Sequence, residues 1–250
     1  MRKYTNAFYL DKQALCLNSA RQIVPWLLQK IQIKSVIDIG CGNGLWLNVF
    51  LENNIKDIHG YDGEWVDKSL LAIPAENFHT IDLCNNKFDY RKADLVISLE
   101  VAEHLPESLS DQFVLNLTKI SSVILFSAAV PGQGGTNHIN EQWPTYWIKK
   151  FEQYGFIVND CIRKNFWDNE KVESWYKQNT FLFIKKDELN NYQNLENEGL
   201  KPFSFDIVHP TMFENKINEL TRPENYSLKL LFKKLPKIIY KKINYKFKAQ

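Results

Sequence analysis

Residues Val36–Gly44 read VIDIGCGNG, and the rest of the chain is arranged around this stretch. Val36, Ile37 and Ile39 make the short apolar run expected of a buried parallel strand. Gly40, Gly42 and Gly44 then allow a close backbone turn, and Leu45 to Leu51 continues as a helix. A strand, a glycine turn and a helix place a ligand at the carboxyl end of the strand. The spacing is Gly-x-Gly-x-Gly, which departs from the dinucleotide fingerprint, and no Lys-Ser/Thr follows to complete a phosphate-binding loop. Asp38 also sits in the turn, where its carboxylate would repel a pyrophosphate but attract a cationic amino group.

With those features the segment resembles the first motif of the class I S-adenosylmethionine-dependent methyltransferases, in particular bacterial small-molecule and surface-glycan-associated ones. The resemblance runs over roughly residues 35–185. It implies an α/β fold with a doubly wound, mostly parallel seven-stranded sheet and an antiparallel final strand. It also implies S-adenosyl-L-methionine over Asp38, Gly40, Gly42 and Gly44, with S-adenosyl-L-homocysteine as product. An acidic residue at the end of the second strand receives the ribose hydroxyls. Asp62 stands at that place, twenty positions beyond Gly42, with Gly63 next to it, after a strand expected over 55–61. Trp65 follows as an adenine neighbour or a packing residue. In FHTIDL, residues 78–83, the family pattern puts Asp82 at the adenine amino group and Leu83 at its edge; capping of the next turn is the competing reading of Asp82.

ADLVISLEVAEHLPE, residues 93–107, reads as an acidic entry, a fourth strand over 93–99 and a polar loop. The resemblance sets Glu100, Glu103 and His104 beside the sulfonium end of the cofactor, Glu100 as a cofactor contact. If the loop turns helically, the spacing of three and four residues gathers all three on one side. Glu103 could equally satisfy loop backbone groups, whereas His104 titrates in a range useful for proton removal. A crossover helix over 109–117 and a fifth strand over 121–128 come next. They lead into AAVPGQGGTNHINEQWPTYW, residues 128–147, whose Pro131, Gly132, Gly134 and Gly135 force an extended loop. Asn137, His138, Asn140, Glu141 and Gln142 beside Trp143, Tyr146 and Trp147 suit a pocket for a polar, hydroxyl-rich acceptor. His138 is the first candidate for a general base, His104 the second, and Glu103 completes the catalytic set. Backbone satisfaction in the long loop is the alternative role of His138. Asn140 is the expected cap of a helix over 141–151 with Pro144 in its first turn.

The flanks bound the reading. Residues 11–30 carry one or two helices with Pro25 as a break, and Tyr4, Phe8 and Tyr9 are lid candidates. Runs 156–162 and 181–185 form the final antiparallel pair, with the aromatic insertion 164–179 between them. Three parts are therefore expected: a helical cap over 1–34, the core over 35–186 and an extension over 187–250. From Lys229 to Lys248 the extension holds eight lysines and no acid, interleaved with apolar residues. Such a tail suits an anionic membrane surface or a subunit contact. A net charge of +2 and no nucleic-acid recognition motif argue against a nucleic-acid partner. Four scattered cysteines, Cys16, Cys41, Cys84 and Cys161, form no metal-ligand spacing, and no metal is expected. No apolar stretch spans a bilayer, so the expectation is a cytoplasmic protein, with a peripheral seat at the inner membrane surface as the tail's variant.

The resulting expectation is O-methylation of a small polar metabolite or carbohydrate-linked group, as in bacterial capsule or surface-glycan synthesis. Transfer to a phosphate or phosphoramidate oxygen, or to an amine, competes with it, and a non-catalytic cofactor-binding scaffold is a third reading.

Overall fold

A computed structural model describes residues 6–85, 91–192, 195, 205–221, 232, 235 and 236, with side chains from residue 13 onward. Tyr4, the side chains of Phe8 and Tyr9, and nearly all of the basic segment Lys229–Lys248 lie outside the described residues. The chain divides into two compact units, Met1–His209 and Pro210–Gln250.

In the first unit the elements are α1 (Asn6–Lys30), β1 (Ser35–Ile39), α2 (Leu45–Glu52), β2 (Asp57–Asp62), β3 (Phe78–Thr80), β4 (Leu95–Leu99), α3 (Ser110–Ile120) and β5 (Val123–Ser127). They are followed by α4 (Pro144–Gln153), β6 (Phe156–Asn159), α5 (Cys161–Phe166), α6 (Ser174–Asn179) and β7 (Phe181–Lys185). The second unit contains α7 (Pro210–Thr221). No described helix is long and apolar enough to cross a membrane.

Seven strands form one sheet in the order β3-β2-β1-β4-β5-β7-β6. The neighbours from β3 to β5 pair in parallel, while β7 runs antiparallel to both β5 and β6. This is the doubly wound, mostly parallel sheet that the sequence implied. β1, β4, β5 and β7 are buried on both faces, which is why they read as apolar runs. Successive side chains alternate between the faces. Val36, Leu95, Ile97, Leu125, Leu182 and Ile184 join α1 and α2 in one core. Ile37, Ile39, Val96, Ile124, Phe126 and Phe183 join α3 and α4 in the other. There Phe183 stacks on Phe151 with ring centroids 4.0 Å apart.

Chain order reverses between β1 and β4, so their carboxyl ends splay apart into the crevice where ligands of open α/β sheets bind. The glycine turn leaves β1 and the Glu100 loop leaves β4 on either side of that crevice.

Two local expectations are corrected. Pro25 does not divide the N-terminal helix, since α1 runs through it. Ala20, Ile23, Val24 and Leu27 of that helix are wholly buried. Burying each large apolar side chain is worth roughly 1.5–3 kcal/mol, which outweighs the roughly 3 kcal/mol that an interior proline costs. A bidentate ion pair from Arg21 to Glu52, at 2.8 and 3.1 Å, ties α1 to α2. The sixth strand stops at Asn159, because the Asn159 side chain accepts the Cys161 amide at 2.9 Å and turns the chain into α5.

Candidate functional site

The glycine turn is built for close approach. Gly40, Gly42 and Gly44 all have positive φ, at 83°, 54° and 82°. A Cβ on Gly40 would stand 2.3 Å from a methyl of Val101, so the turn after β1 lies directly on the loop after β4. A Cβ on Gly42 would meet nothing within 4 Å: this glycine faces open space above the turn. The Gly40 and Cys41 amides donate to the Tyr61 carbonyl at 2.7 and 3.2 Å, locking the turn to the end of β2.

Asp62 closes that end. Its carboxylate is buried, and it accepts the Gly42 amide at 2.6 Å and the Gly63 amide at 2.6 Å, one on each oxygen. Each oxygen keeps a second lone pair. The indole of Trp65 is exposed and lies across Gly63, where an added Cβ would come within 2.2 Å of the ring. Asp38 is also buried, and burial together with the charge of Asp62 drives its carboxyl well above the ordinary aspartate range. Asp82 is exposed, its Oδ1 accepting the Cys84 amide at 2.9 Å, and Leu83 packs partly against the second core.

Across the crevice, Glu100 has φ of 57°, a left-handed conformation that costs a side-chain-bearing residue energy. It is held there from several directions. Its amide donates to the Ser127 carbonyl and hydroxyl at 3.1 and 3.0 Å. Its carboxylate accepts Gln133 Nε2 at 2.7 Å and Asn179 Nδ2 at 3.1 Å, and Asn179 also donates to Gln133 Oε1 at 2.9 Å. Burial raises the Glu100 carboxyl despite these donors. Gln133 and Asn179 were not among the sequence candidates; Gln133 sits in the polar loop, but nothing local marks Asn179, which ends α6.

The turn Ala102–His104 then hangs the long loop on the site. The Glu103 carbonyl accepts the Ile139 and Asn140 amides at 2.9 and 3.0 Å. Asn140 is not the cap of α4: it is buried, and its amide group donates to Ser110 Oγ at 3.1 Å and accepts from Gln142 at 3.0 Å. The helix begins at Pro144, and Asp206 caps it from a distance, accepting the Thr145 amide at 3.0 Å and hydroxyl at 2.6 Å.

Three of the sequence candidates converge here. One potential ligand atom from each of Glu103, His104 and His138 lies within 4.8 Å of the others. Glu103 is fully buried, and neither carboxylate oxygen has a hydrogen-bond partner among the described residues. Burial and repulsion from Glu100 push its carboxyl up to about 9. The His104 and His138 rings meet edge to face with centroids 4.9 Å apart. His104 Nδ1 faces the Asn137 carbonyl at 3.3 Å, and partial burial with the neighbouring His138 keeps its imidazole below the usual range. His138 Nδ1 faces Glu141 Oε1 at 3.0 Å. Glu141 also accepts the Gly132 and Gly134 amides at 2.8 and 2.7 Å. Burial works to raise the Glu141 carboxyl, but the bonds from His138, Gly132 and Gly134 hold it below the ordinary glutamate value. A carboxylate facing Nδ1 fixes the proton on that nitrogen and leaves Nε2 as the free base or ligand atom. Glu141 is thus a positioning residue that the sequence showed only as one polar residue of the loop.

A family model described as a methyltransferase domain matches residues 11–194. No curated protein matches the chain. Among solved structures, an O-methyltransferase family protein from Burkholderia thailandensis superposes with a TM-score of 0.51 at 15% identity, covering 72% of this chain and 58% of the other. The methyltransferase domain of bacterial CtHen1 gives 0.48 at 21% identity, covering 68% of this chain and 97% of the other. Magnesium protoporphyrin IX methyltransferase from Synechocystis, solved with bound SAH, gives 0.46 at 16% identity, with coverages of 73% and 88%. At 15% identity the likeness to the Burkholderia protein concerns the fold alone.

Proposed function

The chain belongs to the methyltransferase-domain family, and from that premise we propose that it is an S-adenosylmethionine-dependent O-methyltransferase acting on a hydroxyl of a small polar metabolite or carbohydrate-linked group. The observation that carries this reading is a juxtaposition across the crevice: the glycine turn with Asp62 on one side, and the imidazoles of His104 and His138 on the other. The two sides are in contact through Gly40 and Val101, and the charge of Asp62 reaches His104.

The residues fit the cofactor. Gly42 leaves open space above the turn, and Asp62 offers its remaining lone pairs to ribose hydroxyls while its other bonds hold the backbone that would seat the cofactor. S-adenosylmethionine supplies a methyl group on a sulfonium sulfur. Around it, Asp62 binds, Glu100 is locked by Gln133 and Asn179, and the polar loop orients the acceptor. Ile139, next to His138 in the chain, and Trp143 of the same loop are exposed and give a sugar or other polar ring apolar surface to rest on. The acceptor hydroxyl must lose a proton as its oxygen is methylated. His138, whose Nδ1 is tied to Glu141, presents Nε2 for it.

Labelled S-adenosylmethionine offered with hydroxyl and amine acceptors tests the proposal. Transfer to hydroxyls supports it; transfer confined to amines, or cofactor binding with no transfer across a broad acceptor set, overturns it. His138→Ala should lower turnover by roughly 10²–10⁴-fold, the usual contribution of a positioned base, with cofactor affinity unchanged. Undiminished turnover would remove His138 from the chemistry.

A further inference from the structure

We infer that Glu103, His104 and His138 form a binding site for a divalent transition-metal cation on the acceptor side of the crevice. Sequence spacing gave no hint of it, because the three donors come from two loops 34 positions apart, after β4 and after β5. The fold brings one ligand atom of each within 4.8 Å of the others.

Two observations point to a cation and not merely to a polar cluster. The first is Glu103, with 0% exposure and two carboxylate oxygens that have no hydrogen-bond partner among the described residues. Buried polar atoms are nearly always satisfied, and a carboxyl group left without a partner beside two imidazoles is one that a bound cation would ionise and hold. The second is the orientation of the rings. His138 Nδ1 is held by Glu141 at 3.0 Å, and His104 Nδ1 faces the Asn137 carbonyl at 3.3 Å. Carbonyls and carboxylates accept, so each Nδ1 carries the proton and each Nε2 is left with a lone pair. Imidazoles that bind metals are oriented in this way, by an acceptor on the other ring nitrogen.

Two imidazoles and one carboxylate favour Mn²⁺, Fe²⁺, Co²⁺ or Zn²⁺ over Mg²⁺ and Ca²⁺, which prefer all-oxygen sites. Three protein ligands leave further positions open for a hydroxyl oxygen. Resting here on the proposed methyl transfer, the consequence is specific. An acceptor hydroxyl bound to the cation becomes more acidic and releases its proton to water. Its oxygen lone pair then forms the new O–CH₃ bond, while the electrons of the S–CH₃ bond return to sulfur and leave the neutral thioether. His104 and His138 are ligands in this scheme: with the cation bound, its acidity replaces the proton uptake by His138 Nε2 described above, which belongs to the metal-free chain.

The test uses the full chain stripped with chelator and titrated with Co²⁺, followed by its visible d–d absorption. One cobalt per chain with nitrogen and oxygen ligation is expected. Glu103→Gln and His138→Ala should weaken binding by about 100-fold or more, and Glu141→Gln, which only frees the His138 ring, by about 10–100-fold. His59→Ala, in the separate stacked pair His59–His79, should leave it unchanged. Absence of cobalt bands, binding indifferent to Glu103→Gln, or loss of binding in His59→Ala would each overturn the site. Calorimetric titration of every variant with S-adenosylmethionine is run alongside. Cofactor affinity retained by the variants shows that the fold is intact, while a wild-type chain that binds cobalt but not S-adenosylmethionine refutes the methyl-transfer reading and leaves the cation site standing.

Discussion

Gly40→Ala should destabilise the protein through two separable terms, and the structure gives the size of each. The residue sits at φ of 83°, where an L side chain costs about 1–2 kcal/mol. Its new Cβ would lie 2.3 and 2.7 Å from the two γ-methyls of Val101. Overpacking of that kind costs about 1–3 kcal/mol, so the single variant should lose about 2–5 kcal/mol in all. Val101 is 8% exposed, and Val101→Ala alone removes two methyl groups worth about 0.8 kcal/mol each, together with a cavity term. In the double variant the added methyl occupies the space that the valine vacates. The cost should therefore fall short of the sum of the single costs by about the overpacking term, leaving the backbone term in place. Urea denaturation of the four proteins, compared at equal m-value, measures the cycle. A Gly40→Ala variant within about 0.5 kcal/mol of wild type, or strictly additive single costs, would refute the contact between the β1 turn and the β4 loop.

Asp62→Asn keeps an acceptor for one backbone amide but loses the charge; at about 1.5–3 kcal/mol for a charged hydrogen bond, S-adenosylmethionine should bind roughly 10–100-fold more weakly by calorimetry. Equal affinity would count against the ribose assignment. Asp206→Ala removes the only hydrogen-bonding side chain seen on the Thr145 amide among the described residues and should cost about 0.5–2 kcal/mol of stability, read from the denaturation midpoint. Burial, aided by Arg91 and His79, holds the His59 imidazole below its ordinary value. The folded chain therefore binds fewer protons than the unfolded one: the stabilising effect is complete above the unfolded-chain value of about 6.5 and is lost as the pH falls below it toward the folded value. His59→Gln should flatten the melting temperature over that acid limb, and a limb as steep as that of wild type would sink the idea.

What the sequence made legible, and what it hid, divides along the range of the interactions. The central strands of the sheet could be read because burial on both faces leaves apolar runs such as Val123–Phe126, and the turn after β1 because its glycines stand at alternate positions, 40, 42 and 44. Glu103, His104 and His138 were visible as residue types. The resemblance named them as one catalytic set, but their packing was not legible, since it depends on the Glu103 carbonyl, in the loop after β4, taking the Ile139 and Asn140 amides of the loop after β5. The cap of α4 failed for the same reason. Asn140 has the right chemistry three residues too early, and the partner that wins, Asp206, is 61 positions from Thr145. Glu100 is the sharpest case. Nothing near it explains a left-handed glutamate, yet Gln133, 33 positions away, and Asn179, 79 positions away, both close on its carboxylate. A conformation that costs about 1–3 kcal/mol persists only where the surroundings over-determine it. Those surroundings are assembled from the β5 loop and the end of α6, so the left-handed residue at the end of β4 is held by contacts that no local stretch of sequence contains.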